Sequence, residues 1–134
     1  KYGIYASEFG SMYGKNIKLI STDEGLGVKH EGLIVSERDI AIDSNGDIVL
    51  TSVNSQGKLD IKGKSLTTKK GISRDKENSF INSISAKDNI DLNISGNINL
   101  ESALQSTDGS IKIVAKNLTL ADKTSARIIS KKIL

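Results

Sequence analysis

The chain has 134 residues, no cysteine, no proline, one histidine and a formal net charge of +3 from 19 basic and 16 acidic side chains. That length is a single domain, the missing cysteine excludes disulfides and Cys-ligated zinc, and mixed charge with 4% aromatics lacks the basic face and interleaved rings of a nucleic-acid binder. No apolar run is long enough to cross a membrane as a helix, no charged-then-apolar leader is present, and the opening in mid-pattern at Lys1 reads as a segment cut from a longer chain.

Residues 1–13, opening Tyr2-Gly3-Ile4-Tyr5, read as an irregular strand or an incomplete first coil. Residues 14–35 carry the first apolar-x-apolar cell, Ile17/Leu19, then a turn through Asp23-Glu24-Gly25 and an apolar segment ending in Leu33-Ile34-Val35. Residues 36–66 hold the most regular cells, Ile40/Ile42, Ile48/Leu50 and Leu59/Ile61. Residues 67–83 break the rhythm, because Leu59 to Ile90 is 31 residues where Ile40 to Leu59 is 19. The excess falls on Lys69-Lys70-Gly71-Ile72-Ser73-Arg74-Asp75-Lys76-Glu77-Asn78, which reads as a charged loop or short hairpin leaving the scaffold. Residues 84–120 resume with Ile90/Leu92, Ile98/Leu100, Ile111/Ile113 and Leu118/Leu120, and 121–134 hold a last partial coil, Arg127-Ile128-Ile129-Ser130, before Lys131-Lys132.

A period of two within each cell is the pattern of a strand with one buried face. Strands this short bury too little to stand alone. Their recurrence every 19–21 residues (Ile40 to Leu59, Ile90 to Ile111) predicts coils that stack, each inward Ile or Leu over its counterpart. The fold class is therefore all-β: a right-handed parallel β-helix, or β-solenoid, of roughly six coils of about 20 residues. The corners fall at Asn45-Gly46-Asp47, Ser95-Gly96-Asn97 and Asp108-Gly109-Ser110, where Gly accepts positive φ and Asn or Asp bonds its local backbone. A second corner type has no Gly: Lys15-Asn16, Arg38-Asp39, Asp88-Asn89 and Lys116-Asn117. The competing architecture, an antiparallel sandwich or barrel, also has short strands with frequent turns. It usually has longer strands and a core rich in rings.

Catalytic signals are sparse. His30 is the only histidine and has no partner for a metal site or for acid–base work, so it reads as a turn residue at a coil corner. If the coils align, Ala41, Asp60, Asp91 and Lys112 form one column, and Asp60 with Asp91 is the one carboxylate pair resembling a calcium or glycosidase pair. Alternating polar residues on an outer strand face are ordinarily only solvated. Gly25-Leu26-Gly27 lacks the third glycine and the helix of a dinucleotide fingerprint, and Ser7 and Ser11 have no histidine partner. No catalytic, cofactor-binding or metal-binding residue is assigned.

Phe9-Gly10-Ser11-Met12-Tyr13-Gly14-Lys15-Asn16-Ile17-Lys18-Leu19-Ile20-Ser21-Thr22-Asp23-Glu24-Gly25-Leu26-Gly27-Val28-Lys29-His30-Glu31-Gly32 resembles a signature of the filamentous haemagglutinin family, exoproteins of Gram-negative two-partner secretion. Gly10, Met12, Tyr13, Ile17, Leu19, Thr22, Glu24 or Asp23, Gly25, Gly27, Val28 and Gly32 fit. Ser11 replaces a usual Gly, Gly14 a usual Ala, and Lys29-His30 stands where Asn is common. The rest of the chain is similar to that family's degenerate repeats. The resemblance implies that residues 1–35 close a secretion-domain-like region and that 36–134 are haemagglutinin-type β-helix repeats with the insertion near 67–83. It implies a non-enzymatic shaft segment of a secreted, surface-displayed filament used in adhesion or contact-dependent growth inhibition. The implied partners are an outer-membrane transporter during export and a cell-surface receptor bound through other regions. The alternatives are a polysaccharide-processing enzyme, which needs an acidic cluster, and a carbohydrate-binding module, which needs exposed rings where only Tyr2, Tyr5, Phe9, Tyr13 and Phe80 exist.

Overall fold

The computed structural model describes residues 2–6, 11–23, 25–70, 83–121 and 128–133. Every described element is a strand: β1 (Tyr2–Ala6), β2 (Ser11–Gly14), β3 (Ile17–Ser21), β4 (Gly27–Ser36), β5 (Ile40–Ser44), β6 (Asp47–Ser55), β7 (Leu59–Gly63), β8 (Ser65–Thr68), β9 (Ser83–Ala86), β10 (Ile90–Ile94), β11 (Asn97–Leu100), β12 (Ala103–Val114), β13 (Asn117–Leu120) and β14 (Ile128–Ile133). All pairings are parallel and join strands of successive windings, the arrangement of a β-solenoid. The antiparallel alternative is thereby set aside.

Three faces recur in each winding. The first stacks β3, β5, β7, β10 and the C-terminal part of β12. The second stacks β1, the start of β4, the start of β6, β8, β11 and β13. The third stacks β2, the end of β4, the end of β6, β9, the start of β12 and the start of β14. The rod amounts to about five turns, slightly fewer than expected, because the last winding is thin: on the first face only Lys132 and Ile133 reach register, with Ser110 and Ile111.

The periodicity that identified the cells also builds the core. On the first face Ile17, Ile40, Leu59, Ile90 and Ile111 form one continuous register, and Leu19, Ile42, Ile61, Leu92 and Ile113 the next. Ile48, Leu66 and Ile98 stack on the second face, and Ile34, Val53, Ile84 and Leu104 on the third. From Ile40 to Leu104 all of these are at most 1% exposed. Each contributes roughly 1.5–3 kcal/mol by leaving water. Isolated strands of four or five residues lack this stacking, which is why each winding depends on its neighbours.

The expected break in rhythm is confined to one corner. Leu59 pairs with Ile90 and Ile61 with Leu92 with no slip, despite the 31-residue spacing. The excess lies between Thr68 of β8 and Ser83 of β9, where the second face turns into the third. At the same corner β6 spends one residue, Thr51, between paired positions Leu50 and Ser52. Lys69 and Lys70 are exposed; the rest of the expected charged loop, from Gly71 on, lies outside the described residues, as do Ser7, Glu24 and Arg127.

The corner glycines are needed for a different reason than expected. Among described residues only Gly25 has positive φ, 77°. Gly46 and Gly96 are required by the neighbouring winding: a Cβ on Gly46 would lie 2.6 Å from the nitrogen of Gly27, and one on Gly96 2.6 Å from the carbonyl oxygen of Lys64. Backbones that touch across a rung leave no room for a side chain.

Candidate functional site

The outer side of the first face carries the column that the repeat placed together. Lys18, Ala41, Asp60, Asp91 and Lys112 are register partners in unbroken series. Asp60 and Asp91 thus stand on adjacent rungs, about 4.8 Å apart along the sheet, although an excursion separates them in sequence. The Asp60 carboxyl is held above the usual carboxylate range, first by partial loss of water on the sheet face and then by the like charge of Asp91; Asp39 adds to this and Lys58 opposes it. Asp60 itself is exposed and Asp91 half-buried, so water screens the repulsion and its energetic consequence is small. Among the described residues no three His, Asp or Glu side chains gather as metal ligands would. A charged surface ladder is what this geometry provides.

Sequence reasoning overlooked two other ladders, and both hold windings together. At the corner between the third and first faces, Asn16, Asp39 and Asn89 each precede an apolar-x-apolar cell. Their side-chain oxygens accept hydrogen bonds from the next winding: Asn16 Oδ1 from the N–H of Asp39 (3.3 Å), Asp39 Oδ1 from the N–H of Lys58 (2.9 Å) and Asn89 Oδ1 from the N–H of Ser110 (2.9 Å). The recurring Asx at that offset was visible in the sequence, but as local turn chemistry rather than as a bond between windings. Inside the same corner runs a column of small residues, Gly14, Ser36, Ser55, Ala86, Ser106 and Ser130. Ser55 Oγ lies 2.7 Å from the carbonyls of both Arg38 and Lys58, Ser106 Oγ donates to the Asp88 carbonyl (2.7 Å) and Ser130 Oγ to that of Gly109 (3.1 Å). The inward hydroxyls bond corner carbonyls where the chain bends, some of which also accept a backbone N–H.

His30 is not at a corner, as expected, but inside the rod. It lies on β4, in register with Leu50 of β6, and is 1% exposed. Strand alternation explains this: Val28, His30, Gly32 and Ile34 share the inward parity. Outward of it, Lys29 and Glu31 pair at 2.9 Å.

A shallow groove runs over the third face. Asn54, Gln56, Ser85, Gln105, Thr107 and Lys87 line it, and none of its lining residues is aromatic. The apolar side chains left in contact with water concentrate at the C-terminal end, where Leu118 and Leu120 occupy inner columns yet are 42% and 48% exposed. Among the described residues no further rung covers these two columns beyond β13. No helix among the described residues is long and apolar enough to cross a membrane.

Three known proteins share this sequence in part. The protein adenylyltransferase and cysteine protease IbpA of Histophilus somni is 34% identical over 126 residues, 90% of this chain and 3% of that protein. The filamentous hemagglutinin of Bordetella pertussis is 43% identical over 63 residues, 46% of this chain and 2% of the hemagglutinin. The tRNA nuclease CdiA of Escherichia coli NC101 is 30% identical over 67 residues, 50% of this chain and 2% of that protein. The chain therefore spans only 2–3% of the length of these relatives. No family model matches it, and no solved structure does.

Proposed function

Since this chain belongs to the filamentous haemagglutinin family of large two-partner secretion exoproteins, we propose that its role is structural. It is a segment of the shaft that holds a distal receptor-binding or toxic region away from the cell, in adhesion or in contact-dependent growth inhibition, and it catalyses no reaction itself. Residues 1–35 close the secretion-domain-like region, and residues 36–134 begin the repeats. During export the full-length protein passes an outer-membrane transporter, and other regions engage the receptor. The whole is displayed at the surface of a Gram-negative cell.

One observation carries this reading. The register from Ile17 through Ile40, Leu59, Ile90 and Ile111 continues unbroken although Leu59 and Ile90 lie 31 residues apart in sequence. A scaffold that keeps its register across uneven sequence spacing is suited to spanning distance. Two of the three relatives bear enzymatic names, adenylyltransferase and protease in one and nuclease in the other, and match this chain over only 3% and 2% of their length, which fits a common shaft carrying different activities elsewhere.

The test removes one winding from the full-length protein. Deleting residues 40–58 shifts the chain by one register repeat, since Ile40 and Leu59 are partners. Surface display and the activity of the distal region should survive, because Ile17 then stacks on Leu59. Deleting residues 40–48 moves side chains out of phase and should abolish display. If the 40–58 deletion is displayed normally yet abolishes adhesion or killing, the winding carries function itself and the structural reading fails.

A further inference from the structure

Among the described residues, one ionisable side chain stands in a core that is otherwise aliphatic or hydroxyl-bearing. His30 occupies an inner column of the second face whose later members are Leu50, Thr68, Leu100 and Leu120. It is 1% exposed, and its Nδ1 atom has no hydrogen-bond partner.

We propose that His30 makes the N-terminal end of the rod acid-labile: protonating the imidazole drives it out of the core and opens the windings built from β1 to β4, while the windings from β7 onward stay stacked. A charged imidazole with an orphaned nitrogen has no place among aliphatic side chains. Among the described residues no charged side chain faces it. On its own strand, Lys29 and Glu31 point outward and pair with each other. β6 offers Leu50, its one acid Asp47 being exposed at the strand start. β1 places Ala6 at this position, and its titratable residues Tyr2 and Tyr5 fall at the positions of Gly27 and Lys29. Tyr13 of β2, Lys18 of β3 and Asp43 of β5 stand on the outer side of their strands.

Burial accordingly holds the imidazole below its ordinary 6.5, and only backbone bonding at Gly32 and at His30 itself pulls the other way. For a base held low, the folded state loses stability as pH falls below the unfolded value of 6.5. Location limits the effect: β4 breaks register between His30 and Leu33, and the windings beyond have no comparable group. The inference rests on the core geometry and stands whether or not the segment is a shaft.

Hydrogen exchange on the 134-residue chain at pH 7.5 and pH 5.0, corrected for the intrinsic pH dependence of exchange, tests it. Protection at residues 11–21 and 27–36 should fall by up to about tenfold per pH unit below 6.5, while residues 59–63 and 90–94 keep theirs. His30→Leu should remove the difference. Equal loss along the whole rod, or an unchanged pH response in His30→Leu, overturns the proposal. Should that variant fail to fold, the single imidazole resonance of the unmodified chain decides. A midpoint near 6.5 with no accompanying change in the β4 amides would overturn it as surely.

Discussion

The inward serines at the corner between the third and first faces make a prediction whose size can be read from their partners. Ser55 Oγ contacts the carbonyls of Arg38 and Lys58 at 2.7 Å and accepts from the N–H of Gly57 at 3.2 Å. Yet the Gly57 N–H also reaches the Arg38 carbonyl (3.2 Å), and the Lys58 carbonyl also accepts from the N–H of Ile40 (3.0 Å). Ser55→Ala therefore leaves no backbone group without a partner and should cost about 1 kcal/mol, the net worth of an ordinary hydrogen bond. Ser106 is differently placed. It donates to the Asp88 carbonyl at 2.7 Å and accepts from the N–H of Gly109 at 3.1 Å, and among the described residues no second bond relieves either group. Ser106→Ala should cost about 2 kcal/mol, because two corner groups lose their partner. The two sites lie two rungs apart and share no partner, so the double variant should be additive to within about 0.5 kcal/mol. Urea unfolding followed by far-UV circular dichroism measures all three. The reasoning fails if Ser55→Ala costs as much as Ser106→Ala, or if both match the parent.

Gly96→Ala should lower the thermal midpoint more than Gly25→Ala, because the first drives a Cβ to 2.6 Å from the Lys64 carbonyl while the second has open space and only an unfavourable φ of 77°; the expected losses are about 1–3 and about 1 kcal/mol. Ile90→Ala empties the centre of a continuous stack and should cost about 2–5 kcal/mol in the same denaturant assay, whereas Ile20→Ala, on the outer side, should stay within about 0.5 kcal/mol. Asp60→Asn should raise the midpoint slightly at pH 7. A carboxyl held above its unfolded value opposes folding while ionised, and the penalty disappears as pH falls through that raised value and below the unfolded one. The gain should therefore vanish in acid; a lower midpoint at pH 7 would mean that the carboxylate holds the fold rather than straining it.

Two of the three faces were legible because they repeat two inward aliphatics per rung. The cells at Ile40/Ile42 and Leu59/Ile61 mark the first face, and Ile48/Leu50 and Ile98/Leu100 the second. The third face stayed hidden because each rung buries one aliphatic, such as Ile34 or Ile84, followed by a serine or alanine that the corner requires. A pattern of one apolar residue beside a serine does not stand out from a polar loop. The rungs at Val28/His30 and Leu66/Thr68 were missed for a related reason: a polar side chain fills the second inward position. His30 reads from the sequence as a corner because a lone polar residue with no partner usually sits in a turn, and the parity of β4 overrides that expectation. The acidic pair was located correctly, since column alignment needs only the spacing of the cells. The exposure that leaves it a surface ladder depends on three-dimensional packing, which spacing does not report.

The central claim is that successive windings lie parallel and in register from Leu59 to Ile90 despite their 31-residue spacing, and paired cysteines test it in a chain that has none of its own. Asp60 and Asp91 are register partners, and neighbouring strands bring Cα atoms to about 5 Å, within disulfide reach. The double variant Asp60→Cys/Asp91→Cys should oxidise readily to an intramolecular disulfide, while Asp60→Cys/Lys112→Cys, two rungs apart, should remain reduced under the same conditions. Free thiols in the first variant together with rapid closure of the second would contradict the stacked winding.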